Sequence, residues 1–189
     1  MKIDKNLNLI VPVESNEGKA YFHSTPIHRE VFQRFHFVMC AAFTKLLQSG
    51  MELTGAKIAA FTLEEVAKDT GKWEGANGVE KGLMGEIERL TNVLVLAEDG
   101  WEMLPVGIAL SRGFVDEDDW QEAKQRIVFF TLIFAMTRMD VRNDLLMIMN
   151  ESWQTQTTSL GCSEFITSLP TLTEIEGSQN QEKQSLVPS

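Results

Sequence analysis

The sequence predicts an α+β fold: a predominantly helical single domain with two short β-hairpins and a flexible polar C-terminal tail. Long stretches with apolar residues at intervals of three and four predict the helices. Two pairs of short apolar runs, each pair flanking a polar segment with a glycine, predict the hairpins. The 189 residues, 43% of them hydrophobic, suit one domain with a substantial core. We predict a core domain over residues 1–153, a Ser/Thr-rich docking segment over 154–175 and a disordered tail over 176–189.

The N-terminal part predicts the first hairpin and a long central helix. The runs NLNLIVPV and AYFHSTPI flank ESNEGK, which indicates a loop of several residues. Pro12 cannot donate a ladder hydrogen bond and therefore favours an edge position. The helix is predicted to begin at Ser24-Thr25-Pro26, where a hydroxyl can cap it, and to stop at Gly50. Its wide apolar face places it near the centre of the core.

The middle of the chain predicts two further helices and the second hairpin. One helix covers Ala56–Asp69, and a capping-box spacing within it allows a break near Phe61. The glycine-rich GKWEGANG, which carries Trp73, indicates a flexible connector. The next helix runs through Val79–Leu90. VLVL and WEML then flank AEDG, whose Asp-Gly pair is a favoured tight-turn dipeptide.

The last third predicts a short helix, the longest helix and a final one. Pro105 ends the second hairpin, and a short helix spans Val106–Arg112. The longest helix starts near Asp116, where four successive acidic residues suit the positive end of a helix dipole. Its apolar run Ile127–Met136 has charged flanks and is shorter than the ~20 residues of a membrane span, which predicts a buried core helix. A final helix is predicted over Val141–Trp153.

Composition and charge argue against several functions. The formal net charge is −10, from 27 acidic and 17 basic residues, and no basic stripe is present to neutralise phosphates. We therefore expect no nucleic-acid partner and no membrane partner. The two cysteines, Cys40 and Cys162, make no disulfide framework and fit a reducing cytoplasm. The N-terminus has no secretory signal pattern.

The sequence shows no pattern of catalytic or metal-binding residues. It contains no Gly-x-Ser-x-Gly, Walker phosphate loop, Cys-x-x-Cys or His-Glu-x-x-His motif. His36 and Cys40 share a helix face, but two ligands do not make a zinc site, so we expect a partly buried histidine beside a buried cysteine. The cluster Asp116–Asp119 lacks the glycine of a calcium loop. We predict a protein that is not an enzyme and has no catalytic residues, cofactor or metal.

Aromatic and apolar residues near element boundaries and in the tail are candidates for protein contacts. Tryptophans at such positions are core anchors or interface residues, and the sequence leaves both open. The apolar residues within the Ser/Thr-rich segment either dock it onto its own domain or fold it against a partner. The partner-binding candidates are Trp73, Trp101, Trp153, Leu160, Phe165 and Leu169.

Three segments of the sequence resemble a known family. They are HSTPI after the first strand pair, the central GLMGEIERLTNVLVL, and the C-terminal WQTQTTSLGCSEFITSLPT. Together they resemble tail assembly chaperones of long-tailed, siphovirus-type bacteriophages, and the likeness covers most of residues 1–173. The rival interpretation is a structural virion component, such as a head–tail completion or minor tail protein.

The resemblance implies a specific role in tail morphogenesis. Such chaperones bind the tape measure protein, a long, helical and apolar chain, and keep it soluble while tail tube subunits polymerise around it. They act in the host cell cytoplasm and are absent from the mature virion. In many relatives a translational frameshift yields a longer form that contacts the tail tube protein. Whether this chain forms a homo-oligomer stays open.

Overall fold

A twisted sheet forms the middle layer of the protein. In the computed structural model, the described residues are 2–3, 8–15, 18–48, 51–97, 100–136, 156–157 and 161–170. The strands are β1 (Lys2–Ile3), β2 (Leu9–Ser15), β3 (Gly18–Ser24), β4 (Thr91–Ala97), β5 (Gly100–Pro105) and β6 (Gln156–Thr157). Their order is β5-β4-β3-β2-β1-β6, antiparallel throughout except between β1 and β6. With the helices, this sheet makes the α+β domain that the sequence predicts.

The helices of the described part pack mainly on one face of the sheet. They are α1 (Arg29–Gln48), α2 (Met51–Asp69), α3 (Gly85–Arg89), α4 (Val106–Ser111), α5 (Glu117–Met136) and α6 (Cys162–Thr167). A π-helical turn (Glu80–Met84) leads directly into α3. Helices α1, α2 and α5 contact one another, and α5 lies against β2. None of the helices in these ranges is long and apolar enough to cross a membrane.

Both predicted hairpins are confirmed, and the connection of the first is shorter than expected. Pairing extends to Ser15 opposite Gly18 and to Ala97 opposite Gly100. Two positions therefore join each pair of strands, and the expected longer loop after β2 is wrong. Gly18 and Gly100 hold the same place in the two hairpins, with φ of 123° and 122°. Only glycine adopts this conformation without strain, which explains the glycine in each turn signal.

The first two helices begin at other residues than the sequence predicts. Helix α1 begins at Arg29, because Ser24 is still paired with Thr91 of β4, and the Thr91 hydroxyl donates to Ser24 Oγ at 3.1 Å. Helix α2 begins earlier than expected, at Met51, and continues through Phe61, so the break that the capping-box spacing allowed does not occur. The predicted final helix, 141–153, lies outside the described residues.

The main core fills the space between the sheet and the helices. The inward side chains of β2, β3 and β4 meet α1, α2 and α5 in one cluster. Phe22 stacks on Trp120 at the start of α5, with ring centroids 5.8 Å apart. Phe130 of α5 is 4% exposed, so the prediction of a core helix is confirmed. β2 is an inner strand, but β1 pairs only with Leu9 and Ile10 within the described residues, so Pro12 lies on a part of β2 whose described strand partner is β3 alone.

Candidate protein-binding surfaces

The outer face of the sheet, opposite the helices, is covered by a short C-terminal segment. This C-terminal strap, Gly161–Pro170, contains α6 and lies across β2, β3 and β4. Phe165 is 2% exposed and packs with Ile10 and Leu94 in a second apolar cluster, separate from the main core. Of the two interpretations left open for this segment, the structure shows docking onto its own domain.

Aromatic contacts and one hydrogen bond fix the strap. The Tyr21 ring lies 5.4 Å from that of Phe165 and 5.6 Å from that of Trp101, both measured between centroids. Trp101 Nε1 donates to the carbonyl oxygen of Pro170 at 3.0 Å. The Lys2 ammonium lies 5.0 Å from the Phe165 ring centroid, within cation–π range. Partial burial in this cluster raises the pKa of Tyr21.

The strap depends on docking for its helical structure. Helix α6 has six residues, far fewer than an isolated helix needs in water. Its first turn is closed by the Glu164 carboxylate, which accepts the Gly161 N–H at 3.0 Å. Ile166 and Leu169 add partly buried contacts beside Phe165. A few apolar side chains thus hold in place a helix that would be marginal on its own.

The predicted partner-binding residues fall on two separate surfaces. Trp101, Phe165 and Leu169 come together at the strap. Trp73 packs instead against the main core on the helical side. Trp153 and Leu160 lie outside the described residues, so their predicted role stays a prediction.

A groove on the helical side is the second surface. We call it the Trp73 groove; it lies between α2, the π-helical turn with α3, and the start of α5, and has a volume of ≈ 260 Å³. It is lined by Ala60, Phe61, Glu64, Trp73, Glu80, Met84, Gly85, Glu88, Trp120, Gln121 and Lys124. Aromatic side chains and methionine supply the apolar part of the lining, and glutamates dominate its charge.

The connector that carries Trp73 forms a turn, as the sequence predicts, and backbone hydrogen bonds close it. Lys72 N–H donates to Ala67 O at 2.7 Å, and Glu80 N–H donates to Trp73 O at 3.1 Å. A Cβ added at Gly78 would lie 2.3 Å from that same Trp73 oxygen. The glycine therefore permits a close backbone approach that fixes the tryptophan at the groove.

Two lysines of the chain lie over the aromatic rings of the groove. Lys68 pairs with Glu64 at 2.6 Å, and its Nζ lies 5.7 Å from the Trp73 ring centroid. Lys124 Nζ lies 5.8 Å from the Trp120 ring centroid. Burial lowers the pKa of Lys124, and Glu64 is one of the carboxylates that oppose this shift.

The structure changes one interpretation of the polar clusters and supports another. The expectation of a partly buried histidine beside a buried cysteine is wrong: His36 is exposed, with Nδ1 2.9 Å from Gln33 O, and Cys40 is only partly buried. Asp116 and Asp119 cap α5 reciprocally, each carboxylate accepting the other's backbone N–H, at 2.8 and 3.0 Å. That capping accounts for the acidic cluster. No group of three or more metal-ligating side chains is found over the residues searched, those that the structure describes.

Sequence reasoning missed the apolar outer face of the sheet. Leu9, Ile10 and Val11 are all buried, although neighbouring strand residues point to opposite faces. An unbroken apolar run is typical of a strand covered on both sides. Val93–Leu96 carries the same signal. These two runs could have predicted a cover on the second face.

No protein-family model matches the chain, and neither does any curated protein or solved structure. The resemblance to tail assembly chaperones therefore rests on the three sequence segments alone.

Proposed function

We propose that this protein is a non-catalytic tail assembly chaperone of a long-tailed bacteriophage, which binds the tape measure protein and tail tube subunits during tail morphogenesis. The sequence resemblance supports the family. The docked strap is the observation that supports a binding mechanism. The strap covers an apolar face of the sheet with a short helical segment. The tape measure protein, an apolar and helical chain, could supply a similar segment to the same face.

The strap acts as a placeholder: in the free protein it occupies the face that the partner binds. Ile10 and Leu94 are 4% and 0% exposed beneath it. Without a cover they would form an exposed apolar patch, which favours association with other chains. A docked strap keeps the free protein soluble, and an incoming apolar helix replaces it contact for contact. Release of the partner restores the strap, as a transient chaperone requires.

Trp101 contacts the strap in the free protein and the partner in the complex. Its indole N–H now bonds to the strap backbone at Pro170. The same N–H is available to a backbone carbonyl of a partner segment once the strap leaves. Tryptophan is among the residues that contribute most to protein interfaces, because it buries a large apolar surface and keeps a polar donor.

Co-expression with the tape measure protein of the same genome tests the proposal. The full chain should keep the tape measure protein soluble and co-purify with it. The double variant Phe165→Ser/Leu169→Ser should undock the strap and bind at least about tenfold more tightly, because the competent fraction of the chain rises. Added to the double variant, whose strap is already undocked, Trp101→Ala should weaken binding, because only its contact with the partner is then lost. Phe37→Ser changes an exposed aromatic residue on α1 and serves as the control.

Circular dichroism on each variant separates loss of binding from loss of fold. Weaker binding by a folded double variant would show that the strap itself contacts the partner and would overturn the placeholder mechanism. A tape measure protein that stays soluble without this chain would overturn the chaperone function. Detection of the chain in mature particles would favour the structural virion component.

A further inference from the structure

The Trp73 groove has features of a built binding site. Phe61 at its edge is 57% exposed, although it lies in the middle of α2. Trp73 and Met84 are partly buried beside it and pack against the main core. The bonds of the connector hold Trp73 in place before any ligand arrives, which lowers the entropy lost on binding.

The chain's own lysines show what this groove accepts. The ammonium groups of Lys68 and Lys124 lie near the two tryptophan rings, at distances typical of cation–π contacts. Burial disfavours the charged form of Lys124 and lowers its pKa, yet its ammonium group lies near the Trp120 ring. An arginine from a partner would suit such a position better, because guanidinium is more weakly hydrated and stacks on aromatic rings.

The charge of the rim favours a basic ligand. Glu80 and Glu88 are exposed at the groove, and neither makes an ion pair with another residue in the described part of the chain. Both contribute negative potential at the neighbouring lysines. The net charge of −10 extends this attraction over the whole molecule and would accelerate encounter with a positively charged segment.

We infer that the Trp73 groove binds a basic segment of a partner protein that also carries apolar side chains. Its apolar side chains pack on Phe61 and Met84, an arginine or lysine lies over Trp73, and Glu80 and Glu88 pair with its positive charges. This site is distinct from the strap, and the inference holds whichever protein supplies the segment. It therefore stands or falls independently of the proposed chaperone function.

A synthetic helical peptide with leucine on one face and arginine on the other, labelled with fluorescein, is the probe. Fluorescence anisotropy at low ionic strength should show saturable binding to the full chain. A matched peptide with glutamate in place of arginine should not bind. Glu80→Gln/Glu88→Gln should weaken binding about tenfold, because it removes both carboxylates that face the ligand.

Two matched controls separate the groove from general effects of charge and apolar surface. Glu14→Gln/Glu30→Gln removes two exposed carboxylates outside the groove and should change affinity less than about twofold, since distant surface charges are screened. Phe61→Ser should weaken binding, whereas Phe37→Ser, at an equally exposed aromatic of α1, should not. The inference would be overturned if the two double glutamate variants lost affinity equally, or if Phe61→Ser and Phe37→Ser did.

Sedimentation velocity tests the other possible occupant of the groove, a second copy of this chain. The inference predicts that Phe61→Ser leaves the sedimentation coefficient unchanged. A shift from dimer to monomer in that variant would assign the groove to self-association and overturn the inference. Retained tape measure binding by Phe61→Ser would leave the proposed function intact, so the two proposals can fail separately.

Discussion

At the residue scale, exposure separates aromatic side chains that stabilise the fold from those available for binding. Phe130 and Phe165 are 4% and 2% exposed, whereas Phe37 and Phe61 are 58% and 57% exposed. The buried residues lie in two different clusters, one on each face of the sheet. The sequence gives all four the same apolar character, so only the packing assigns their roles.

Replacing Phe130 by Ala tests the main core. Phe130 stacks on Phe134 with ring centroids 5.7 Å apart and contacts the edge of Phe129 at 6.0 Å. Truncation leaves a cavity that these neighbours cannot fill, so the free energy of unfolding should fall by ~3–5 kcal/mol. Chemical denaturation measures the loss, with Phe37→Ala as the exposed control. A wild-type value for Phe130→Ala would contradict the burial.

At the element scale, short helices in this protein are stabilised by their neighbours and by local polar contacts. Helix α3 has five residues and continues a π-helical turn, so its own hydrogen bonds are few. Arg89 binds the Glu86 carboxylate through Nε and Nη2, at 2.7 and 2.8 Å. This hydrogen bonding lowers the pKa of Glu86, with burial opposing the shift and the charge of Arg89 adding to it.

The lowered pKa of Glu86 predicts acid sensitivity. A carboxyl whose pKa is lower in the folded state adds stability above its unfolded pKa and loses it as the pH falls through the folded value. Wild type should therefore lose more stability than Glu86→Gln on acidification from neutral pH to below the ordinary pKa of 4.5. Thermal unfolding across this range, with Glu14→Gln as control, measures the difference. Parallel curves for wild type and Glu86→Gln would refute the contribution.

At the scale of the whole molecule, the sheet is covered on both faces by parts of the chain far apart in sequence. The helical layer comes largely from residues 29–136, and the strap from residues 161–170. The strap lies within the segment 154–175, for which the sequence left docking onto its own domain as one of two interpretations.

Truncation distinguishes the strap from the end of the chain. A stop after Glu176 should leave the melting temperature unchanged, because the residues beyond it lack an apolar period and can bury little. A stop after Gly161 should lower it, since Ile10 and Leu94 lose the cover of Phe165. Differential scanning calorimetry compares the two. A large drop for the longer form would place the terminal residues in the folded unit.

Periodicity and turn chemistry were enough to predict much of the fold. The α+β class, both hairpins and α5 as a core helix follow from local signals: hydrophobic spacing and glycine at positive φ. The acidic start of α5 also follows, because capping acts within one turn.

Long-range contacts decided the rest. Helix α1 starts late because Ser24 is paired with Thr91, 67 residues further along the chain. Trp101 and Phe165, which are far apart in sequence, lie in the same apolar cluster. Such contacts depend on how the chain closes its loops and fills its core, and local patterns do not encode that. The sequence thus determined the elements and nominated the aromatic residues, whereas the tertiary structure decided which of them share a surface.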